Sequence, residues 1–133
     1  MKSYVLDASV AGAWLFEEQQ SKNAIQLRNQ ALGSVAIIPQ LFRYEIANLI
    51  LNNTRKNVTE ARESAFKFIE SIPVMVDFKT PMYLGLVELA SDAQLTVYDS
   101  IYLELAIRYE VPLATYDKKL AKAAIKLGIE ILG

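Results

Sequence analysis

The chain has 133 residues, 53% of them hydrophobic, and a formal net charge of −1. That suits one domain, residues 1–133, with a well-filled core, and it leaves no global basic footprint for nucleic acid. There is neither a cysteine nor a histidine, which excludes disulfides, thiolate zinc sites, His-containing catalytic triads and His metal ligands, so any chemistry must run on carboxylates, hydroxyls, Lys, Arg or a metal held by oxygen. In chain order, residues 3–7 read as a strand ending in an acid, followed by a short helix through Phe16. A polar stretch over 17–20 leads to Ser21, which opens a helix carrying Ala24, Leu27, Ala31 and Leu32 on one face and ending at Gly33. Val35 to Ile38 form a second strand, and Pro39 suits the first turn of a helix running to about Asn53. That helix is apolar nearly all round, with Leu41, Phe42, Tyr44, Ile46, Leu49, Ile50 and Leu51, and so predicts cover on more than one side.

Asn57-Val-Thr-Glu60 fits a capping box for a helix to about Ser71. A third strand covers 73–76, and Thr80-Pro81 opens a helix to about Asp92. The helix over 98–109 sets Tyr102, Leu103 and Ala106 on an apolar face and Ser100, Glu104 and Arg108 on the opposite one. A short strand over 111–114, a helix over 118–127 and a strand over 129–132 complete the chain. Short continuous apolar strands alternating with helices predict an α/β fold, a three-layer α/β/α arrangement around a central parallel sheet. No signal peptide or membrane-spanning run is seen, and the lack of cysteine suits a reducing compartment, which gives an expected cytoplasmic location.

Four acids stand out. Asp7 and Asp117 follow strands, where open α/β sheets bind their ligands. Asp99 lies in a first helical turn in register with the apolar face. Glu45 is mid-helix, one turn from Leu41 and from Leu49, with no helix end to need it, and Arg43 is at the wrong spacing to pair with it. Taken singly, Asp7 also reads as a turn or cap residue, and Asp99 and Asp117 as helix caps. Taken together they suggest one pocket. Converging carboxylates repel and raise one another's pKa, and a hard divalent cation such as Mg2+ or Mn2+ relieves that. Such a site suits phosphodiester hydrolysis. Ser9 and Thr115 could add hydroxyl contacts or be turn residues. Lys118, Lys119, Lys122 and Lys126 form either a solvated helix face or a phosphate-contact strip. Trp14, Phe16, Phe42, Phe66 and Phe68 read as core or interface, and Asp77, Asp92, Glu17 and Glu18 as surface.

These residues resemble a known family. V-L-D-A-S-V at 5–10, R-Y-E-I-A-N at 43–48, Y-D-S-I-Y-L-E-L-A at 98–106 and L-A-T-Y-D-K-K-L at 113–120 look like the four acidic motifs of PIN domains, and are most similar to the VapC-type toxin ribonucleases of prokaryotic toxin–antitoxin pairs. The resemblance spans the chain in order. It implies an endoribonuclease dependent on Mg2+ or Mn2+, an RNA substrate, a homodimer, and a VapB-like antitoxin that blocks the site. By position it makes Asp7, Glu45, Asp99 and Asp117 the catalytic metal-binding acids, with Thr115 in the usual Thr/Ser slot. Two alternatives remain beside it, and a third fails. A catalytically silent PIN-fold binding module would keep the fold without the chemistry. A phosphoacceptor receiver domain wants a lysine after its last strand, which is missing. A haloacid-dehalogenase-type phosphatase wants D-x-D after strand one, where Asp7 is followed by Ala8 and Ser9.

Overall fold

The computed structural model describes residues 2–16, 22–55, 58–79 and 81–133. The described residues form five strands, β1 (Ser3–Leu6), β2 (Val35–Pro39), β3 (Val74–Asp77), β4 (Leu113–Ala114) and β5 (Ile131–Leu132). Seven helices accompany them: α1 (Ala8–Phe16), α2 (Lys22–Leu32), α3 (Gln40–Asn53), α4 (Val58–Ser71), α5 (Tyr83–Ala93), α6 (Val97–Tyr109) and α7 (Lys118–Lys126). The expectations placed on Glu17, Glu18, Ser21, Asn57 and Thr80 lie outside the described residues.

All five strands pair in parallel in the order β3-β2-β1-β4-β5. The chain moves outward from β1 to β2 and β3, then returns to place β4 on the other flank of β1. Parallel crossovers are right-handed, so reversing the direction of travel changes the face that the connecting helices cover. One layer packs α1 against α3 and α4; the other packs α6 against α5 and α7 and lays it across β1, β2 and β4. The result is the three-layer α/β/α arrangement around a parallel sheet. The order reverses between β1 and β4, and the carboxyl ends of strands at such a reversal are where open α/β sheets form their ligand crevice.

The centre of the sheet is fully covered. Tyr4, Val5 and Leu6 of β1 and Leu113 and Ala114 of β4 are buried, as continuous apolar strands require. Tyr102, Leu103, Leu105 and Ala106 of α6 fill one side. On the other side α1 and α3 approach closely at Gly12, where an added Cβ would lie 2.9 Å from Leu49 Cδ1. Trp14 meets Phe68 edge-on, tying α1 to α4.

Several local expectations change. Ser100 was placed on a polar helix face; it is buried, and its hydroxyl donates to the Thr96 carbonyl at 2.8 Å, which satisfies it without solvent. Leu32 and Leu127, expected to face the core, lie at helix ends and are exposed. Pro39 ends β2 and caps α3 from outside the helix. Helix α5 begins at Tyr83, later than expected. The apolar surround of α3 resolves into a buried row, Phe42, Ile46 and Ile50, with Tyr44 and Leu51 exposed.

Candidate functional site

The crevice is organised by Asp7. Its backbone N–H donates to the Ala114 carbonyl at 3.0 Å, so β1 and β4 stay paired up to the crevice floor. Its carbonyl accepts from the Val10 N–H at 3.2 Å and starts α1. The side chain is only 6% exposed. An acid this covered needs hydrogen-bond donors, and two hydroxyls supply them: Ser9 Oγ and Thr115 Oγ1 each donate to Asp7 Oδ2 at 2.7 Å. The same hydroxyls are fixed in turn. Ser9 Oγ accepts from the Tyr116 N–H at 3.1 Å, and Thr115 Oγ1 accepts from the Asp117 N–H at 3.0 Å. Asp117 Oδ1 accepts from the Leu120 N–H at 2.9 Å and caps α7. Asp117 is therefore a cap, as the simpler reading had it, and also an end of the Asp7 network.

Glu45 enters from α3. Its Oε1 accepts a hydrogen bond from the Tyr102 hydroxyl at 2.5 Å, and Tyr102 on α6 is 1% exposed. This contact joins the two helical layers over the end of the sheet. Burial raises the Glu45 carboxyl above its ordinary range; the Tyr102 hydroxyl pulls it back, and the charges of Asp7 and Asp99 push it up again. Asp99 is also raised, first by burial, then by Asp117, with the Thr96 hydroxyl opposing and Asp7 adding to the rise. Thr96 caps α6, accepting from the Asp99 N–H at 3.1 Å. Burial, followed by the Glu45 contact, pushes the Tyr102 hydroxyl far above its usual pKa.

The four acids are thus near enough for their charges to act on one another: Asp7 on Glu45 and Asp99, Asp99 on Glu45, and Asp117 on Asp99. Among the described residues, no group of three acidic side chains has its oxygens positioned to hold one metal ion. Asp7, Glu45 and Asp117 are instead each tethered to donors of their own. The donor set, all carboxylate and hydroxyl oxygen, is nevertheless the type that hard divalent cations take, and the charges acting on Glu45 and Asp99 are those of other acids. In its chemistry the set fits such a cation.

Two features were missed in the sequence. Tyr102 was placed on the apolar face of α6 without its role as the partner of Glu45; a buried tyrosine needs a mate for its hydroxyl, and that was the available signal. Asp77 was assigned to the surface. Its side chain is 7% exposed, and Arg108 grips it with two hydrogen bonds of 3.0 and 2.8 Å while the Tyr109 hydroxyl donates at 2.8 Å.

Comparison with known proteins agrees with this fold. The PIN domain family model matches residues 4–126. Ribonuclease VapC1 of Mycobacterium tuberculosis, from strain CDC 1551 / Oshkosh and equally from strain H37Rv, is 28% identical over 103 residues, covering 76% of this chain and 77% of the relative. The crystal structure of PAE2754 from Pyrobaculum aerophilum superposes with a TM-score of 0.68 at 21% identity, over 98% of this chain and 84% of that one. A domain of a functionally unknown protein from Methanocaldococcus jannaschii gives a TM-score of 0.56 at 19% identity, over 98% of this chain and 89% of that one. With a match running from the first strand to the last helix, on a sheet of this order, the chain belongs to the PIN domain family.

Proposed function

We propose that the protein is a metal-dependent endoribonuclease, the toxin of a type II toxin–antitoxin pair, with Asp7, Glu45, Asp99 and Asp117 as its catalytic, metal-binding acids. One observation carries the reading: four acids from four separate elements are held within each other's field at the switch point of the sheet. The named relative, ribonuclease VapC1, supports the choice of RNA and of a VapB-like antitoxin partner.

A bound Mg2+ or Mn2+ would activate water and neutralise the leaving oxygen of a phosphodiester. This chain's residues do the holding. Ser9 and Thr115 fix the rotamer of Asp7 from one side and so orient its second oxygen. Tyr102 fixes Glu45, and Thr96 fixes the turn that carries Asp99. Asp117 is set by the α7 N-terminus. These partners limit rotation of Asp7, Glu45 and Asp117 before a cation arrives, which lowers the entropic cost of binding it.

Cleavage of labelled RNA is expected with Mg2+ or Mn2+ and is expected to stop in EDTA. Undiminished cleavage in EDTA would refute the metal mechanism, and no cleavage under any metal would leave a binding module on the same fold. A homodimer is the expected assembly, because α3 and α4 carry exposed Tyr44, Leu51 and Phe66 beside their buried rows. Light scattering at micromolar concentration checks it, and a monomer there refutes it. No described helix is long and apolar enough to cross a membrane.

A further inference from the structure

Between them, α5 and α7 leave a groove of about 710 Å3. Lys119, Lys122 and Lys126 line its α7 wall, and Asp92 and Gln94 belong to the opposite one. The lysines recur at i, i+3 and i+7, so they share one helix face, while Leu120 and Ala124 are buried on the other. The whole chain holds 14 Lys and Arg against 15 Asp and Glu. Three lysines faced by one acid are therefore a local excess that the net charge conceals. Along the chain the groove residues adjoin the acid-bearing turns: Lys119 lies two residues beyond Asp117, and Gln94 lies two residues before Thr96, the cap of the helix that carries Asp99. From Lys119 to Lys126 the wall runs about 10 Å along the helix axis, the reach of a few nucleotides.

We propose that this groove is the track along which the sugar-phosphate backbone of single-stranded RNA reaches the acid crevice. The inference rests on the nuclease reading given above and adds where the substrate lies. A basic groove between two helices follows one strand, as proteins that bind single strands do. A duplex is instead gripped across two successive minor grooves over about 16 base pairs, a far larger surface than this wall. The lysines supply phosphate contacts without base reading, so the track itself is indifferent to sequence.

The test compares the wild type with Lys119→Ala/Lys122→Ala/Lys126→Ala and with a control of equal charge change, Lys2→Ala/Lys22→Ala/Lys67→Ala, whose lysines are exposed elsewhere. Binding of a short labelled oligouridylate is read by fluorescence anisotropy in EDTA, across a salt series, so that no turnover intervenes. The groove variant is expected to lose about two units of slope in log affinity against log salt, at roughly 0.7 per phosphate contact. With metal restored, its KM is expected to rise about tenfold with kcat little changed, because the lysines touch phosphates remote from the reacting one. The control is expected to keep the wild-type slope and KM. If the wild type cuts RNA while the groove variant matches the control, the track is overturned and the nuclease reading stands. If the wild type binds through the groove yet never cuts with either metal, the nuclease reading is overturned and the track stands.

Discussion

Two polar clusters flank α6, built from nearly the same residue types and doing opposite things. At its N-terminal end lie Asp99 and, across the crevice, Asp7, Glu45 and Asp117, with Tyr102 donating to one of them. At its C-terminal end lie Asp77, Glu104, Arg108 and Tyr109. The difference is one guanidinium. Arg108 donates to Asp77 and to Glu104, the latter at 2.7 Å, and holds the Asp77 carboxyl below its ordinary range. In the first cluster the charges that act on Glu45 and Asp99 are those of acids, and both carboxyls are raised. Acids closed onto a cation of the protein are a strut. Acids that repel one another across a crevice store a cost that only something from outside can remove.

The sharpest way to break this comparison is to neutralise one acid in each cluster. Asp7→Asn is expected to cut RNA cleavage on the order of a hundredfold or more with little change in melting temperature, since the amide keeps an acceptor for Ser9 and Thr115 but loses charge. Asp77→Asn is expected to do the reverse: near-normal cleavage, and a loss of about 2 kcal/mol from a partly buried, twice-bonded ion pair. Steady-state kinetics and thermal melts on both variants decide it. Equal effects of the two substitutions on rate would erase the distinction.

A smaller effect sharpens the same contrast through pH and metal. Asp77, held low chiefly by the Arg108 hydrogen bonds, adds stability that is fully present above its ordinary value of 3.8 and is lost as pH falls through the lower folded value. Glu45 and Asp99 act in the opposite sense. Their folded values sit above the ordinary 4.5 and 3.8, mainly through burial, so the metal-free protein loses stability as pH rises from those values through the raised ones. Glu45→Gln removes part of that loss and is expected to melt above the wild type in EDTA at neutral pH. Adding Mg2+ or Mn2+ stabilises the wild type by mass action and the variant less, so the gap is expected to shrink or change sign. Parallel responses of the two proteins to a metal titration would take Glu45 out of the site.

Much of the acid cluster was legible in the chain because acids are out of place at strand ends and on apolar helix faces, and Asp7, Glu45, Asp99 and Asp117 each break the local pattern in that way. The Asp77 cluster was illegible for the converse reason. An acid that ends an edge strand looks like surface until the fold brings Arg108, far along the chain, onto it. Ser100 misled similarly, since a serine can hide its hydroxyl on its own helix carbonyl and sit in a core.

Alternating apolar strands and helices, the absence of cysteine and histidine, and the positions of the four acids were determined by the sequence alone, because periodicity and residue chemistry are local properties. Which strands are neighbours, which hydroxyls hold Asp7, that Tyr102 bridges α6 to Glu45, and that the α7 lysines face a groove shared with the end of α5 were decided only by the tertiary structure. Those contacts join residues distant in the chain, and they exist because the sheet reverses its order between β1 and β4 and brings separate elements to one crevice.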